Sequence, residues 1–249
     1  MILAEYFPAL SGVRSYHHLD KRGIFFMVIE SASTSHTILI ASGYARAKRI
    51  FDIIFTLCIL PFLGMIILIL ALFICFDSKG RIIFLQKRVG MHGVEFEMFK
   101  FRSMHENSDD TYHREAIKHY MNGQPLNGNA HTPYKLENDN RVTKIGQFLR
   151  QTSLDELPQF WNVLRGEMSL VGPRPPLPYE VEMYSSRDML RLSGKPGLTG
   201  PWQVYGRSRT PFQEMVEMDI AYLQRQSFWE DLKLIALTIP VMLQKRGGA

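Results

Sequence analysis

The stretch Thr152-Ser153-Leu154-Asp155-Glu156-Leu157-Pro158-Gln159-Phe160-Trp161-Asn162-Val163-Leu164 places two adjacent carboxylates at the start of what reads as a short amphipathic helix. Unpaired backbone N–H groups and the positive end of the helix dipole favour negative charge there. The plain reading is that Asp155 and Glu156 cap a helix, and Ser153-x-x-Glu156 spells a capping box. The other reading is a reactive anion held in a favourable field. Pro158 leaves the register open. A cap at Ser153 puts the proline beyond the first turn, where its ring clashes with the preceding backbone, whereas a cap at Asp155 tolerates it.

Upstream lies the most apolar part of the chain. Ile53 to Phe76 runs for 24 residues without a charge, enough to cross a bilayer as a helix. Pro61 falls inside this run and Gly64 just beyond the proline, which invites a break or kink. Arg46, Lys48 and Arg49 precede the segment and Lys79, Arg81, Lys87 and Arg88 follow it, so the positive-inside rule puts both ends on the cytoplasmic side. A broken, re-entrant helix satisfies both flanks; a single tilted span is the alternative. Thr56, about a turn before the proline, is placed to offer a hydroxyl to the break. Residues 1–45 form an extension of no legible role, in which Ile24 to Ile29 reads as a short buried strand or helix turn.

After the membrane segment, Arg81–Val89 and Val94–Arg102 read as two strands of a β-hairpin around Gly90-Met91-His92-Gly93. Period-2 geometry sets Lys100 and Arg102 side by side on one face of the second strand, suited either to gripping a diphosphate or to facing solvent. From His105 to about Asn140 the chain turns polar and reads as an insertion or mobile flap around a helix at Thr111 to Tyr120. Its histidines, His105, His113, His119 and His131, lack a compact metal-ligand spacing. Val142 to Arg150 is an amphipathic basic stretch that delivers the chain to Asp155.

Beyond Leu164, the prolines of Gly172-Pro173-Arg174-Pro175 hold the backbone around Arg174 extended, so that its guanidinium is presented with little loss of entropy. The loop Lys195-Pro196-Gly197-Leu198-Thr199-Gly200-Pro201-Trp202-Gln203-Val204-Tyr205-Gly206-Arg207 packs aromatics and cations together. Trp202, Gln203 and Arg207 are the candidates for contacting a nucleotide; local packing is the plainer role for its aromatics. Phe212 to Leu223 and Phe228 to Leu243 have helical periodicity, and the last helix, ending in Lys245-Arg246, suits a membrane surface.

Composition agrees with a folded, membrane-associated chain. Its 249 residues carry a formal charge of +5, which suits an anionic partner such as a phospholipid surface or a phosphorylated substrate. The basic residues are dispersed and flank a membrane segment, which argues against nucleic acid. Cys58 and Cys75 both lie in the apolar segment and read as reduced packing residues. Met1-Ile2-Leu3-Ala4-Glu5 lacks the features of a secretory signal, so the bulk of the chain is expected in the cytoplasm.

Taken in order, these blocks resemble the bacterial sugar transferases, the monotopic phosphoglycosyl transferases that prime glycan assembly on a polyprenyl phosphate carrier. The resemblance covers about residues 46 to 243. It rests on Lys48-Arg49-Ile50-Phe51-Asp52, Gln86-Lys87-Arg88-Val89-Gly90, Lys100-Phe101-Arg102-Ser103-Met104, Ser153-Leu154-Asp155-Glu156-Leu157-Pro158-Gln159, Gly172-Pro173-Arg174-Pro175 and Pro196-Gly197-Leu198-Thr199-Gly200. The resemblance implies an α+β, mainly helical fold with a re-entrant membrane helix (46–80) and a cytoplasmic catalytic domain (81–249) bearing interfacial helices and a small hairpin. It places the chain at the cytoplasmic face of the bacterial inner membrane, among membrane lipids.

The activity it implies is ping-pong transfer of a sugar-1-phosphate from a nucleoside-diphosphate sugar, usually a UDP-sugar, to polyprenyl (undecaprenyl) phosphate. Asp155 matches the family's nucleophile and Glu156 the second acid, the candidate Mg²⁺ ligand; Lys100, Arg102 and Arg174 are the candidate phosphate contacts. An inactive scaffold that keeps the fold is the competing reading, and a homodimer is compatible with the sequence without being indicated by it. The chain departs from the commoner pattern at Leu60, where a serine often precedes the helix-breaking proline.

Overall fold

In the computed structural model the apolar segment forms one long helix, α1 (Ser42–Asp77), whose 36 residues include Pro61. The structure describes residues 14–19, 24–31, 34–105, 111–123, 139, 141–206 and 210–243, with backbone only over the three strands that precede α1. By length and composition α1 is long and apolar enough to cross a membrane. Pro61 lies inside the helix rather than ending it. Thr56 is buried and its hydroxyl has no hydrogen-bond partner, so the expected repair of the proline site does not come from it.

Over most of its length α1 presents apolar side chains outward, among them Leu57, Phe62, Met65, Leu68, Phe73 and Phe76, a surface that is costly in water and at home in lipid. Cys58 and Cys75 are free and exposed here, so they are not the packing residues expected.

The two ends of α1 are fastened to the rest of the chain. At its foot, Lys48 Nζ and the Tyr44 hydroxyl donate to Asp231 Oδ2 at 2.6 and 2.7 Å, and the Tyr222 hydroxyl donates to Oδ1 at 2.6 Å. Arg49 donates to the carbonyls of Val163 and Leu164, which the end of a helix leaves without N–H partners. Toward the other end, Leu70 and Ile74 pack with Phe101, Leu149 and Leu157.

Before α1, β1 (Arg14–Leu19), β2 (Ile24–Ser31) and β3 (Thr34–Ala41) form an antiparallel sheet in sequence order. The Ile24 run is therefore strand. After α1 comes the expected hairpin, β4 (Ile83–Val89) and β5 (Glu95–Phe101), paired antiparallel with Phe84 opposite Lys100. Its turn is a short 3-10 segment with His92 at φ 60° and Gly93 at φ 79°, conformations that favour asparagine or glycine. The helix expected at Thr111 is α2 (Thr111–Met121). It is not a loose flap: Ala116, Ile117 and Tyr120 are buried, and the Tyr120 hydroxyl donates to the Thr210 carbonyl at 2.8 Å.

Next, α3 (Lys144–Thr152) is capped by Thr143, whose hydroxyl accepts from the Gly146 amide, and α4 (Phe160–Arg165) ends at Gly166 in the left-handed region. A feature absent from the sequence expectations follows. The strands β6 (Ser169–Val171) and β7 (Gly197–Thr199) pair in parallel and bring the Gly-Pro-Arg-Pro segment against the Pro-Gly-Leu-Thr-Gly loop. The backbones approach so closely that a Cβ on Gly197 would lie 2.0 Å from the Gly172 nitrogen. Between these strands lie α5 (Pro178–Val181) and a 3-10 segment, Asp188–Ser193. The chain then forms a π-helical turn (Trp202–Gly206), α6 (Phe212–Arg225) and α7 (Phe228–Leu243). The main core gathers Met168, Val171, Leu190, Trp202, Val216, Ile220, Leu223 and Leu234 from these elements.

Candidate active site

The two acids are delivered by a change of helix type. At the end of α3, Ser153 takes φ 56°, and the chain restarts as a 3-10 turn, Leu154–Gln159, with Asp155 and Glu156 in its first turn. Ser153 makes no side-chain cap, so the capping box does not form. Pro158 sits inside the turn, and the α-helical hydrogen bonding resumes only at Phe160, beyond the proline. The turn is held under the hairpin by Asn162. Its Oδ1 accepts from the Phe99 amide at 3.0 Å and its Nδ2 donates to the Glu97 carbonyl at 2.7 Å, locking β5 to α4.

That packing brings Lys100 onto Glu156, Nζ to Oε1, at 3.0 Å with both side chains largely sheltered. Asp155 is 8 % exposed. Burial pushes its carboxyl up to about 6, with Lys100 pulling the other way and Glu156 adding to the rise. Glu156 moves oppositely. Burial opposes its charge, but Lys100, by charge and by hydrogen bond, and then Arg174 and Arg88 outweigh it and hold the group below the usual glutamate range. Two neighbouring carboxyls are thus driven apart, the pattern that marks division of labour in a reactive site.

A cavity of about 300 Å³ opens beside them. Glu156, Lys100, Arg174, Trp202 and Gln203 all line it; Asp155 is buried next to Glu156 rather than forming the wall. Trp202 is fully enclosed and carries the Arg174 guanidinium over its ring at 5.6 Å, so it serves as a platform for that cation. The Arg174 backbone is fixed in turn. Its carbonyl accepts from Arg191, which is buried in a salt bridge with Asp219 at 2.7 Å and donates to the Tyr184 hydroxyl at 2.6 Å.

One expectation changes and one lies beyond the described residues. Arg102 is not brought into this group. The strand ends at Phe101, and the Arg102 guanidinium turns to the carbonyls of Ile74 and Ser78, at 3.4 and 2.6 Å, at the C-terminal end of α1. Arg207 lies outside the described residues.

Two lining residues that no role was expected for are Arg88 and Gln159. Arg88 is buried and donates to Gln86 Oε1 and, at 2.9 Å, to the Pro175 carbonyl. Burial, with Arg174 nearby, pushes it down to about 10. The basic Gln86-Lys87-Arg88 run signalled a cation here, but strand parity without a known inner face could not choose Lys87 or Arg88.

Three cations, Lys100, Arg174 and Arg88, therefore act on Glu156, and Lys100 with Arg150 acts on its neighbour Asp155. The surplus positive charge and two guanidiniums set toward one cavity suit phosphate oxygens. Apolar side chains share the lining, among them Phe55 and Ile59 of α1 and Ile235, Ile239 and Met242 of α7.

For a divalent cation, the described residues offer no group of three or more His, Cys, Asp and Glu. Two adjacent carboxylates are nevertheless present, and Lys100 engages only Oε1 of Glu156. That donor set fits Mg²⁺ brought with a diphosphate, whose oxygens and waters fill the remaining positions, and not a cation caged by protein alone.

Residues 43–245 match the family model described as bacterial sugar transferase. Among similar proteins, the galactosyl transferase CpsE of Streptococcus agalactiae is 44% identical over 203 residues, 81% of this chain and 43% of that protein. A UDP-galactose-lipid carrier transferase of Erwinia amylovora is 41% identical over 97% of this chain and 49% of its own length. The exopolysaccharide production protein ExoY of Rhizobium meliloti is 39% identical over 88% of this chain and 97% of its own length. The chain thus spans about half of the first two relatives and nearly all of the third.

Proposed function

Because the chain belongs to the bacterial sugar transferase family, we propose that it transfers a sugar-1-phosphate from a UDP-sugar to undecaprenyl phosphate at the cytoplasmic face of the membrane. The observation that carries this reading is a cavity with two kinds of lining. Lys100, Arg88 and Arg174 stand with Glu156 as the charged lining, and side chains of α1 and α7 supply apolar lining. A diphosphate sugar matches the first, and an isoprenoid phosphate, anionic at its head and apolar along its tail, matches both. The relative named as a UDP-galactose-lipid carrier transferase is consistent with that pair of substrates.

In the proposed ping-pong sequence an Asp155 carboxylate oxygen attacks the β-phosphorus of the UDP-sugar. The bond to the bridging oxygen breaks and UMP departs, leaving the sugar phosphate on the carboxylate. A phosphate oxygen of the undecaprenyl carrier then attacks the same phosphorus, releasing Asp155 and forming the diphosphate-linked product. The attack brings like charges together, so fixed cations must neutralise the phosphoryl oxygens first. Lys100 and the guanidiniums supply that field. Glu156 would hold Mg²⁺, which supplies further neutralisation of the phosphate oxygens.

Membrane placement follows as re-entry of α1. Both ends of the helix dock on the same body of the protein and both flanks are basic, which supports entry and exit by one face.

The test is the intact mass of detergent-solubilised protein after brief incubation with Mg²⁺ and each of a panel of UDP-sugars, beside Asp155→Asn. An adduct of one sugar phosphate on the native chain, absent from the variant, is expected. UMP release that requires the lipid phosphate and leaves no adduct would favour direct transfer and remove Asp155 from its role. Neither adduct nor UMP with any donor would favour a scaffold.

A further inference from the structure

We propose that the side-chain amide of Gln159 contacts substrate, donating a hydrogen bond to a non-bridging oxygen of the phosphoryl group seated against Glu156. This rests on the phosphosugar-transfer reading for the identity of its ligand. The geometry begins with the 3-10 turn. Residues three apart in such a helix eclipse one another, so Glu156 and Gln159 fall on the same face, and both line the cavity. Gln159 is 3 % exposed, and its Nε2 is buried with no hydrogen-bond partner.

A primary amide held this way is not explained by packing. Its cavity neighbours Leu157 and Phe160 are apolar, and a side chain of the same length without polar atoms would fill the space without leaving donors unmade. The chemistry of the surroundings says what the donors are for. Lys100, Arg88 and Arg174 already supply charge, and Arg88 and Arg174 disfavour one another. A fourth cation would add to that repulsion. A neutral donor adds a fixed dipole without it, and needs no rearrangement as charge builds on a phosphoryl oxygen.

The experiment compares the full-length native protein in detergent with Gln159→Met and Gln159→Glu, after circular dichroism establishes that each is folded. Two quantities are measured: the affinity for inorganic pyrophosphate with Mg²⁺, and kcat and KM for UMP release from UDP-galactose and UDP-glucose with undecaprenyl phosphate. Gln159→Met is expected to lower kcat by about 10²-fold, the usual effect of losing one such donor, and to raise KM for the donor by about 3- to 10-fold. Pyrophosphate binding should weaken by about 3- to 10-fold. Gln159→Glu keeps the shape and sets a negative charge against the ligand, so its losses should be larger, and it carries the test if the methionine variant does not fold.

Native affinity and native kcat in both variants would overturn the proposal, as would a native protein that neither binds pyrophosphate nor releases UMP. Pyrophosphate binding that depends on Gln159 in a protein that transfers nothing would leave the contact standing and refute the transfer reading alone.

Discussion

Replacing Lys100 by methionine removes the cation that both carboxyls lean on. Lys100 Nζ stands 3.0 Å from Glu156 Oε1, and it is the largest charge holding the Asp155 carboxyl down against burial. At that distance and an effective dielectric of about 20, Coulomb's law gives roughly 5.5 kcal/mol per pair of unit charges, equivalent to about 4 pKa units. The Glu156 side chain is 30 % exposed, so solvent screens the interaction. Only a fraction of that figure is then felt at Glu156, and the same cation acts on Asp155 in the same direction.

The direction follows from the sign of the charge removed. Without Lys100 both carboxyls titrate higher, Asp155 from a starting point of about 6. A protonated carboxyl is no nucleophile, so activity is retained above the group's pKa and lost as pH falls through it. The acid limb of the rate of UMP release, followed from pH 5 to 9 at saturating Mg²⁺, should therefore move up by about 1–2 units in Lys100→Met. Lys100→Arg, which keeps the charge, should leave it within about 0.5 units. A lower rate with an unmoved acid limb would refute the coupling between Lys100 and the carboxyls, and an unchanged rate would refute any role for Lys100 in the site.

Other expectations separate the site from its supports. Arg102→Met should lower the thermal midpoint by taking its donor from the Ser78 carbonyl, while KM for the UDP-sugar changes less than about 2-fold; Arg174→Met should do the reverse, raising KM at least 10-fold. Asn162→Leu strands the Phe99 amide and the Glu97 carbonyl, and denaturant titration should show a loss of about 2–4 kcal/mol. Gly146→Ala brings a Cβ to 2.0 Å from the Ser103 carbonyl oxygen, backbone that cannot yield, so reduced folded yield and a lower midpoint are expected. If α1 re-enters, cysteines at Arg46 and Lys79 in a chain with Cys58 and Cys75 replaced by serine should both react with an impermeant maleimide from the cytoplasmic side only.

The parts legible in the sequence were those governed by local physics. The hairpin announced itself by alternation around a glycine-bearing turn, α2 by its breakers, and α1 by an uncharged run that no soluble helix needs. Asp155 and Glu156 stood out because adjacent acids at a helix start are a local pattern. Arg102 misled because period-2 geometry holds only while the strand lasts, and the carbonyls that claim its guanidinium belong to residues 24 or more positions earlier. Arg88 went unread because alternation tells which residues share a face and not which face is inside. The parallel pair β6–β7 and the α7 wall of the cavity join segments distant in the chain by strands of three residues or by one face of a helix, signals too short to stand out of the sequence.

The hub at Asp231 bears on how this protein can be taken apart. Lys48 and Tyr44, near the start of α1, and Tyr222, from α6, all converge on that one carboxylate of α7, and two further residues of α1 form cavity wall. A truncation made for solubility would remove two of the three donors to a buried acid and open the cavity along one side. Exchanging α1 for a generic anchor would restore the address but not the masonry. The apolar helix is a structural beam of the site, so the smallest unit that can be studied faithfully is one that still carries it.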